Sequence, residues 1–226
     1  LMANNHIHTK NKFMIRTFFC LAVVIFAPEI YVRSEAMLSA PHLSKLEKEV
    51  AEEINLARQY PKRYALLLEK RKPYYHGKSY TLPGKVTIMT KEGVKALDEA
   101  VRFLRKAKPL KPMHYSKGMS QAAKDHVKDQ GPTGKLAHTG TDGSQPWDRV
   151  SRFGKWQVTV GENIAYGDKT ARDIVIGLIV DDGVPGRGHR KNIFNPEFRV
   201  IGVAFGYHKK YGTMCVIDFA GGFEER

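Results

Sequence analysis

Four polar side chains in the second half of the sequence belong to the residue types that bind metals or transfer protons. They are His138 in "LAHTG", Glu162 in "VGENIA", Asp181 in "IVDDG" and His189 in "GRGHRKN". Each stands where an apolar pattern stops, so each side chain could face a cleft instead of a core. The four residues are far apart in the chain, and their spacing alone does not show that they meet.

Two kinds of chemistry are open to such a set. Two neutral imidazoles are suitable ligands for Zn²⁺ or a similar divalent ion, and a nearby carboxylate can orient a metal-bound water or accept its proton. Two protein ligands fall short of the three usual for catalytic zinc, and the sequence has no HExxH motif, so the metal would be weakly bound. The alternative is a hydrogen-bonded His–Glu network that braces the cleft without a metal.

The segment "DDGVPGRGHRKNIFNP" sets His189 between a glycine-rich bend and an Asn-Pro stop. Gly186 and Gly188 would let the backbone turn tightly before the histidine, and Pro196 ends the short helical turn that follows it. For Arg190 we expect a structural role, because a guanidinium beside a turn can donate hydrogen bonds to several carbonyls.

Apolar periodicity predicts the helices that position these residues. The predicted helices run from about Lys45 with a bend or restart at Pro61, from Thr90 to before Pro109, from near Ser116 to Gly131, and from Thr170 through "IVIGLIV". Ser44 and Glu47 form a capping box for the first helix. In the third helix, His126 lies on the apolar face, which indicates a core histidine and not a ligand.

Alternating residues predict the strands. A long basic loop, "RKPYYHGKSYTLPGKVTIM", contains a short strand from Val86 to Met89, and "QVTVGENIAYG" is a short strand that leads into a loop at Glu162. "FRVIGVAFGYH" and "YGTMCVIDFAG" form a β-hairpin, in which Cys215 lies on an apolar face and is a buried, unreactive thiol. The order of elements predicts an α+β domain, an antiparallel sheet covered by helices.

Composition bounds the class of protein. The chain has 226 residues, of which 42% are hydrophobic, and this suits one domain with one large core. A formal net charge of +14 would attract polyanions. However, the basic residues are scattered among acids and no zinc-finger or RNA-binding motif is present, so nucleic acid is not an expected partner.

The first residues indicate export. Cationic residues precede "TFFCLAVVIFA", an apolar run shorter than the roughly 20 residues that span a bilayer, and "RSEA" follows with small residues suited to cleavage. We therefore predict a signal peptide at residues 1–36 and one secreted, extracellular or periplasmic domain at 37–226. Cleavage would leave Cys215 without a partner for an internal disulfide. A buried first helix is the alternative interpretation.

Six segments, in order, resemble the CAP superfamily of secreted proteins, named after cysteine-rich secretory proteins, antigen five and the pathogenesis-related-one proteins of plants. They are "EINLARQYPKRYA", "MSQAAKDHVKDQG", "LAHTGTDGS", "GENIAYG", "GHRKNIFNPEFRVIGVAFG" and "YGTMCVIDFAG", which lie within residues 43–223. The resemblance implies a three-layer α-β-α sandwich with a central antiparallel sheet, also known as the SCP domain. The lack of paired cysteines is similar to the disulfide-free branch of bacteria and some unicellular organisms.

The resemblance also implies site residues. Two histidines and one or two acids of the family project into a central cleft, and by matching motif these are His138, His189 and Glu162. The second acid usually follows a tryptophan. "IVIGLIVDDG" has no tryptophan, so Asp181, with Asp182 directly after it, is the candidate for that position.

Three functions are compatible with these residues. We rank first a secreted binding module for a lipid, sterol, glycan or protein partner, which a roomy apolar pocket beside "RKPYYHGKSY" would favour. The second is a metal-dependent extracellular hydrolase, a protease, in which Glu162 is the base and His138 and His189 hold the metal. The third is attachment to an anionic surface, for which an ordinary solvated face is the alternative. Its candidate residues are Lys62, Arg63, Lys70, Arg71, Lys72 and Lys78.

Overall fold

Most of the helices begin at capping residues or prolines that the sequence provides. A computed structural model describes residues 43–226; the predicted signal peptide and residues 37–42 lie outside this range. Ser44 and Glu47 form the predicted capping box at the first helix, and Thr170 accepts from the N–H of Asp173 at a later one. The helices are α1 (Lys45–Gln59), α2 (Pro61–Glu69), α3 (Val94–Lys106), α4 (Lys117–Thr133), α5 (Pro146–Ser151), α6 (Ala171–Val180) and α7 (Gly188–Ile193), with a 3-10 turn at Lys72–Tyr74.

Two helix boundaries differ from the sequence prediction. Helix α3 starts at Val94 and not at Thr90, because the Thr90 hydroxyl accepts a hydrogen bond from the N–H of Gly93, which has a left-handed φ of 64°. Helix α4 continues through Gly131 to Thr133. Gly131 is a packing glycine and not a cap, because a Cβ there would stand 2.3 Å from the carbonyl oxygen of Tyr207.

The strands form two sheets. Three short antiparallel strands, β1 (Tyr75–His76), β2 (Ser79–Tyr80) and β3 (Ile88–Met89), lie in the basic loop. The main sheet has the order β4-β6-β7-β5, with β4 (His114–Tyr115), β5 (Gly154–Tyr166), β6 (Val200–His208) and β7 (Gly212–Glu225). The predicted hairpin of β6 and β7 is confirmed, and the sheet is antiparallel except for the short parallel pair of β4 and β6.

Strand β5 is longer than the sequence predicts. Glu162 lies inside this strand, where it is paired with Asp218 of β7, so the predicted loop at Glu162 is wrong. The cause is nonlocal: β7 runs alongside β5 from Tyr166 to Gly154 and supplies hydrogen-bonding partners on both sides of Glu162. Because β5 is at the edge of the sheet, its other side is open to loops.

Helices cover both faces of the main sheet, which makes the fold an α-β-α sandwich. Helices α4 and α5 pack on one face, and α1, α6 and α7 pack on the other. Alternation along β7 sends Cys215, Ile217 and Phe219 into the core beneath α1 and α6, whereas Val216 packs against α4. Burial of Cys215 is thereby confirmed, and burial raises the pKa of its thiol. Within residues 43–226, no helix combines the length and apolar character needed to cross a bilayer.

A buried arginine fixes the position of α7. Arg58 of α1 is almost fully buried, and burial lowers its pKa to about 10. Its guanidinium donates to the carbonyls of Ile193, Asn195 and Phe198 and to that of Lys111. The end of α7 is therefore tied to α1 by charge-assisted hydrogen bonds.

Helix α4 lies directly on the sheet at Gly202 of β6. A Cβ at this position would stand 2.3 Å from the carbonyl carbon of Met119 and 2.5 Å from the nitrogen of Ser120. Both are backbone atoms of α4, so a side chain at Gly202 would push the whole helix off the sheet.

We expect Gly202→Ala to destabilise the domain by about 3 kcal/mol, because overpacking against backbone cannot relax by a change of rotamer. The matched control is Gly177→Ala inside α6, where the nearest atom to a new Cβ is at 3.5 Å, an ordinary contact. That variant should gain up to about 1 kcal/mol from helix propensity. Urea unfolding of both variants checks the contrast, and equal stabilities would contradict the close approach of α4.

Candidate functional site

The first half of the site is an ion pair between β5 and the loop before α5. The carboxylate of Glu162 is 1% exposed, and its Oε1 atom lies 2.7 Å from Nδ1 of His138. The His138 side chain is 51% exposed. Because Nδ1 faces the carboxylate, the Nε2 side of the ring is the side that is open to a ligand.

Arg149 joins this loop to the sheet. Its guanidinium is buried in α5 and donates to Oε2 of Glu162 at 2.7 Å. The same group donates to the carbonyls of Ser144 and His138. One arginine therefore neutralises the buried carboxylate and also fixes the backbone of the histidine that the carboxylate holds.

The second half of the site is the pair of His189 and Asp181. Asp181 ends α6 in a left-handed conformation, with φ of 55°. Its Oδ1 atom is 2.7 Å from Nδ1 of His189, and its Oδ2 atom accepts from the backbone N–H of the same residue. Asp182 faces elsewhere, since it accepts from the N–H groups of Lys91 and Glu92. Of the two acids, only Asp181 contacts His189.

The part of the bend directly before His189, residues 185–188, contains one left-handed glycine and one left-handed arginine. Gly186 has a left-handed φ of 76°, as the predicted bend requires, but Gly188 is already helical. The second left-handed residue is Arg187, with φ of 54°. Its guanidinium donates to the carboxylates of Glu92 and Glu99, and hydrogen bonds from Arg187 lower the pKa of Glu92 to about 2. These two ion pairs hold a conformation that arginine rarely adopts.

Arg190 has the structural role expected from the sequence. It is buried and donates to the carbonyls of Ile179 and Val180 at the end of α6, and also to Glu99. It therefore fastens α7 to the helix that carries Asp181. The predicted use of this guanidinium on several carbonyls is confirmed.

The two histidine pairs are linked through neighbouring residues of β5. Asn163 donates from Nδ2 to the backbone carbonyl of His189, and Asn192 of α7 donates to the carbonyl of Glu162. Since successive side chains of a strand point to opposite faces, Glu162 and Asn163 anchor the two pairs on opposite faces of this edge strand. A ligand shared by both rings would lie at the strand edge, and that convergence stays a prediction. Within residues 43–226, no three His, Cys, Asp or Glu side chains are grouped closely enough to hold a metal ion.

His126 lies behind the site. It is fully buried in α4, as predicted, and its Nε2 atom is 2.8 Å from the carbonyl oxygen of Ala137. Burial lowers the pKa of this imidazole. It therefore supports the backbone next to His138 from the core side.

A cavity of about 490 Å³ lies between α3 and the bend before His189. It combines apolar walls with the charged groups that hold the bend. Its lining residues are Glu92, Glu99, Phe103, Gly183, Val184, Pro185, Gly186, Arg187, Arg190 and Lys191. None of the lining residues belongs to the basic loop "RKPYYHGKSY", beside which an apolar pocket would have favoured a binding module.

Comparison with known proteins identifies the family. The family model described as "CAP: Cysteine-rich secretory protein family" matches residues 99–219. This match covers more than half of the 226 residues and includes all four candidate site residues. The chain therefore belongs to the CAP family.

Particular relatives share only part of their length with this chain. The uncharacterized protein YkwD of Bacillus subtilis (strain 168) is 32% identical over 111 residues, which is 49% of this chain and 41% of YkwD. An outer surface protein of Borrelia burgdorferi is 17% identical with a TM-score of 0.42, covering 52% of this chain and 80% of that one. An extracellular SCP-domain protein of Bacillus anthracis is 23% identical with a TM-score of 0.41, covering 56% and 39%.

Several residues that hold the site were not predicted from the sequence. Asn163 and Asn192 are polar residues whose partners are fixed only by tertiary structure. The inward position of Arg149 could have been predicted from the sequence, because a lone arginine beside an apolar position in a short helix can point inward. Asp218 could have been found more easily, because it is an acid that interrupts the apolar run "CVIDFAG" in a predicted strand.

We expect Arg149→Met to destabilise the domain by about 3–5 kcal/mol, because it leaves the buried charge of Glu162 without its cationic partner. Arg152→Met, three residues later, is the control. Arg152 forms an exposed ion pair with Asp142, which contributes at most about 1 kcal/mol. Urea unfolding at neutral pH measures both effects. Similar losses for the two variants would show that Glu162 does not depend on Arg149.

Proposed function

We propose that this CAP domain is an exported ligand-binding module, and that hydrolysis is not its activity. One observation supports this choice: the carboxylate that a hydrolase would use as its base is buried, and both of its oxygens accept hydrogen bonds from His138 and Arg149. A general base needs a free lone pair within reach of the proton that it removes. The cationic, then apolar, N-terminal sequence and the family membership support export.

The two imidazoles are the candidate contact points for the ligand. Each has its Nδ1 atom held by a carboxylate, Glu162 for His138 and Asp181 for His189. This is the arrangement in which metal-binding histidines present Nε2. The donor type therefore fits Zn²⁺ or a similar ion, and two protein nitrogens are enough only for weak binding. A bound ion would act as an electrophile that attracts an oxygen of the ligand.

The cavity beside α3 is a second place for a small partner. Its volume of about 490 Å³ is within the range of about 300–1,000 Å³ for ligand pockets. Phe103, Val184 and Pro185 provide apolar walls, and Lys191 adds a positive charge. Among the partners open to the family, these walls suit a lipid with an acidic group better than an uncharged glycan.

Attachment to an anionic surface has weaker support than the sequence suggested. Of the six basic residues named for it, Arg71 is paired with Asp173 and Lys72 with Asp98. Arg71 is also mostly buried. The exposed residues of this group that remain are Lys62, Arg63, Lys70 and Lys78. Such a group is close to what an ordinary solvated face carries.

Zinc titration by calorimetry tests the shared site. If one ion bridges both rings, His138→Ala and His189→Ala should each abolish the binding of Zn²⁺, because one imidazole is a poor ligand by itself. His76→Ala, at an exposed position of β1, is the control and should bind as the unaltered protein does. Half of the binding capacity in each single variant would mean two separate sites and would refute the bridge.

A peptide-library cleavage assay separates a binding module from a hydrolase. We expect no cleavage that depends on the two histidines, so the unaltered protein and the His138→Ala/His189→Ala double variant should give the same background. Mass spectrometry of the purified proteins should recover the same retained lipid from both. Cleavage by the unaltered protein that disappears in the double variant would establish the hydrolase instead.

A further inference from the structure

Two acidic side chains face each other inside the sheet. Glu162 of β5 and Asp218 of β7 are directly paired in register. Asp218 is 0% exposed, and it lies on the same face of β7 as Val216, beneath α4 and α5. A pair of acids at such a position is unusual, because like charges opposite each other destabilise a sheet.

The hydrogen-bond donors around this pair are unevenly distributed. Glu162 accepts from His138 and from Arg149. No donor within residues 43–226 reaches either carboxyl oxygen of Asp218. Glu162 lies directly opposite Asp218 in register, and the two carboxyl groups interact through a side-chain hydrogen bond. Two carboxylates can only accept, so a hydrogen bond between them needs one proton.

The proton belongs on the acid that has no other partner. Ionised, Asp218 would be a buried charge with no hydrogen bond, which costs several kcal/mol, whereas Glu162 already has a cation and an imidazole N–H beside it. We propose that Asp218 is a neutral carboxylic acid at pH 7, which keeps its proton, donates a hydrogen bond to Glu162 and so positions the anion that holds His138. This goes beyond the proposed function and does not depend on which ligand binds.

The surroundings of Asp218 agree with a neutral acid. Burial raises the pKa of this carboxyl group well above its usual range, the charge of Glu162 raises it further, and Arg149 acts in the opposite direction. Strand β6 is paired with the other side of β7, and its residue opposite Asp218 is Gly202, which carries no charge. From α4, His126 interacts electrostatically with Glu162.

The proton on Asp218 has a consequence for the site. Glu162 then accepts three hydrogen bonds and stays in one orientation, and the Nδ1 atom of His138 must be the donor to it. The lone pair of His138 is therefore on Nε2, the side open to a ligand. Asp218 contacts no ligand itself and is a positioning residue that acts through Glu162.

The pH dependence of stability in Asp218→Asn tests the proposal. In the unfolded chain Asp218 ionises above about pH 3.9, whereas in the folded protein it keeps its proton. Its contribution to stability is therefore complete below about pH 4 and is lost as the pH rises towards the folded-state pKa. Asparagine has the same shape, can donate to Glu162 and does not ionise. In urea unfolding from about pH 4 to pH 8, the variant should gain stability over the unaltered protein with rising pH.

Asp173→Asn is the matched control for that experiment. Burial acts to raise the pKa of Asp173, but hydrogen bonds from Thr170 and Arg71 outweigh it and the pKa is lowered. The stability linked to a carboxylate of lowered pKa changes only below about pH 4, where the unfolded chain becomes protonated. From about pH 4 to pH 8, the stability of the control relative to the unaltered protein should therefore stay almost constant. An equally constant difference for Asp218→Asn would mean that Asp218 is an ionised structural carboxylate over this pH range, and would overturn the proposal.

Infrared spectroscopy and NMR test the proton and its role directly. The carbonyl stretching band of a protonated carboxylic acid should be present at neutral pH, absent in Asp218→Asn and retained in Asp173→Asn. The Nδ1–H proton of His138 should exchange with solvent at an unchanged rate in Asp218→Asn. In Asp218→Leu, which cannot donate to Glu162, it should exchange about tenfold faster, the effect of one lost hydrogen bond. Absence of the band, or equal exchange in Asn and Leu variants, would refute the proposal.

Discussion

The buried charge of Glu162 is the constraint on which the site depends. An ion in a protein interior costs several kcal/mol unless it is paired and hydrogen-bonded, and the fold meets this requirement with one guanidinium. Arg149 also donates to the carbonyls of Ser144 and His138. Arg149 therefore both neutralises the charge of Glu162 in the sheet and fixes the backbone of the exposed loop that carries His138. Neither the buried charge nor the loop is stable without this arginine.

The two halves of the site hold their histidines in position through different contacts. His138 is on a loop and is fixed from behind by Arg149, whereas His189 is on a short helix that Arg58 and Arg190 fasten by donating to backbone carbonyls. In both halves a carboxylate takes the Nδ1 side of the ring. Since the carboxylate fixes the tautomer and the orientation, both imidazoles are preorganised even though their own side chains reach solvent.

Local patterns in the sequence predict most of the elements, and nonlocal pairing accounts for the errors. The capping box at Ser44, the hairpin of β6 and β7, and the buried positions of His126 and Cys215 follow from periodicity over a few residues. The extension of β5 through Glu162 depends on β7, more than forty residues further along the chain, so no local window contains it. The left-handed Arg187 is hidden for a similar reason: its conformation is held by Glu92 and Glu99 of a distant helix and its preceding turn.

The buried charge of Glu162 also limits the chemistry that the domain could perform. A catalytic base must gain and lose a proton during each cycle, and Glu162 is enclosed by donors that all favour one fixed state. The groups free to change partners are the Nε2 sides of the two rings, since each Nδ1 atom faces a carboxylate. A site with fixed inner charges and open outer nitrogens is suited to recognition by direct contact or through an ion. The carboxylates of Glu162 and Asp181 then hold the rings of His138 and His189 in position, and the loops around the edge of β5 would determine what is bound.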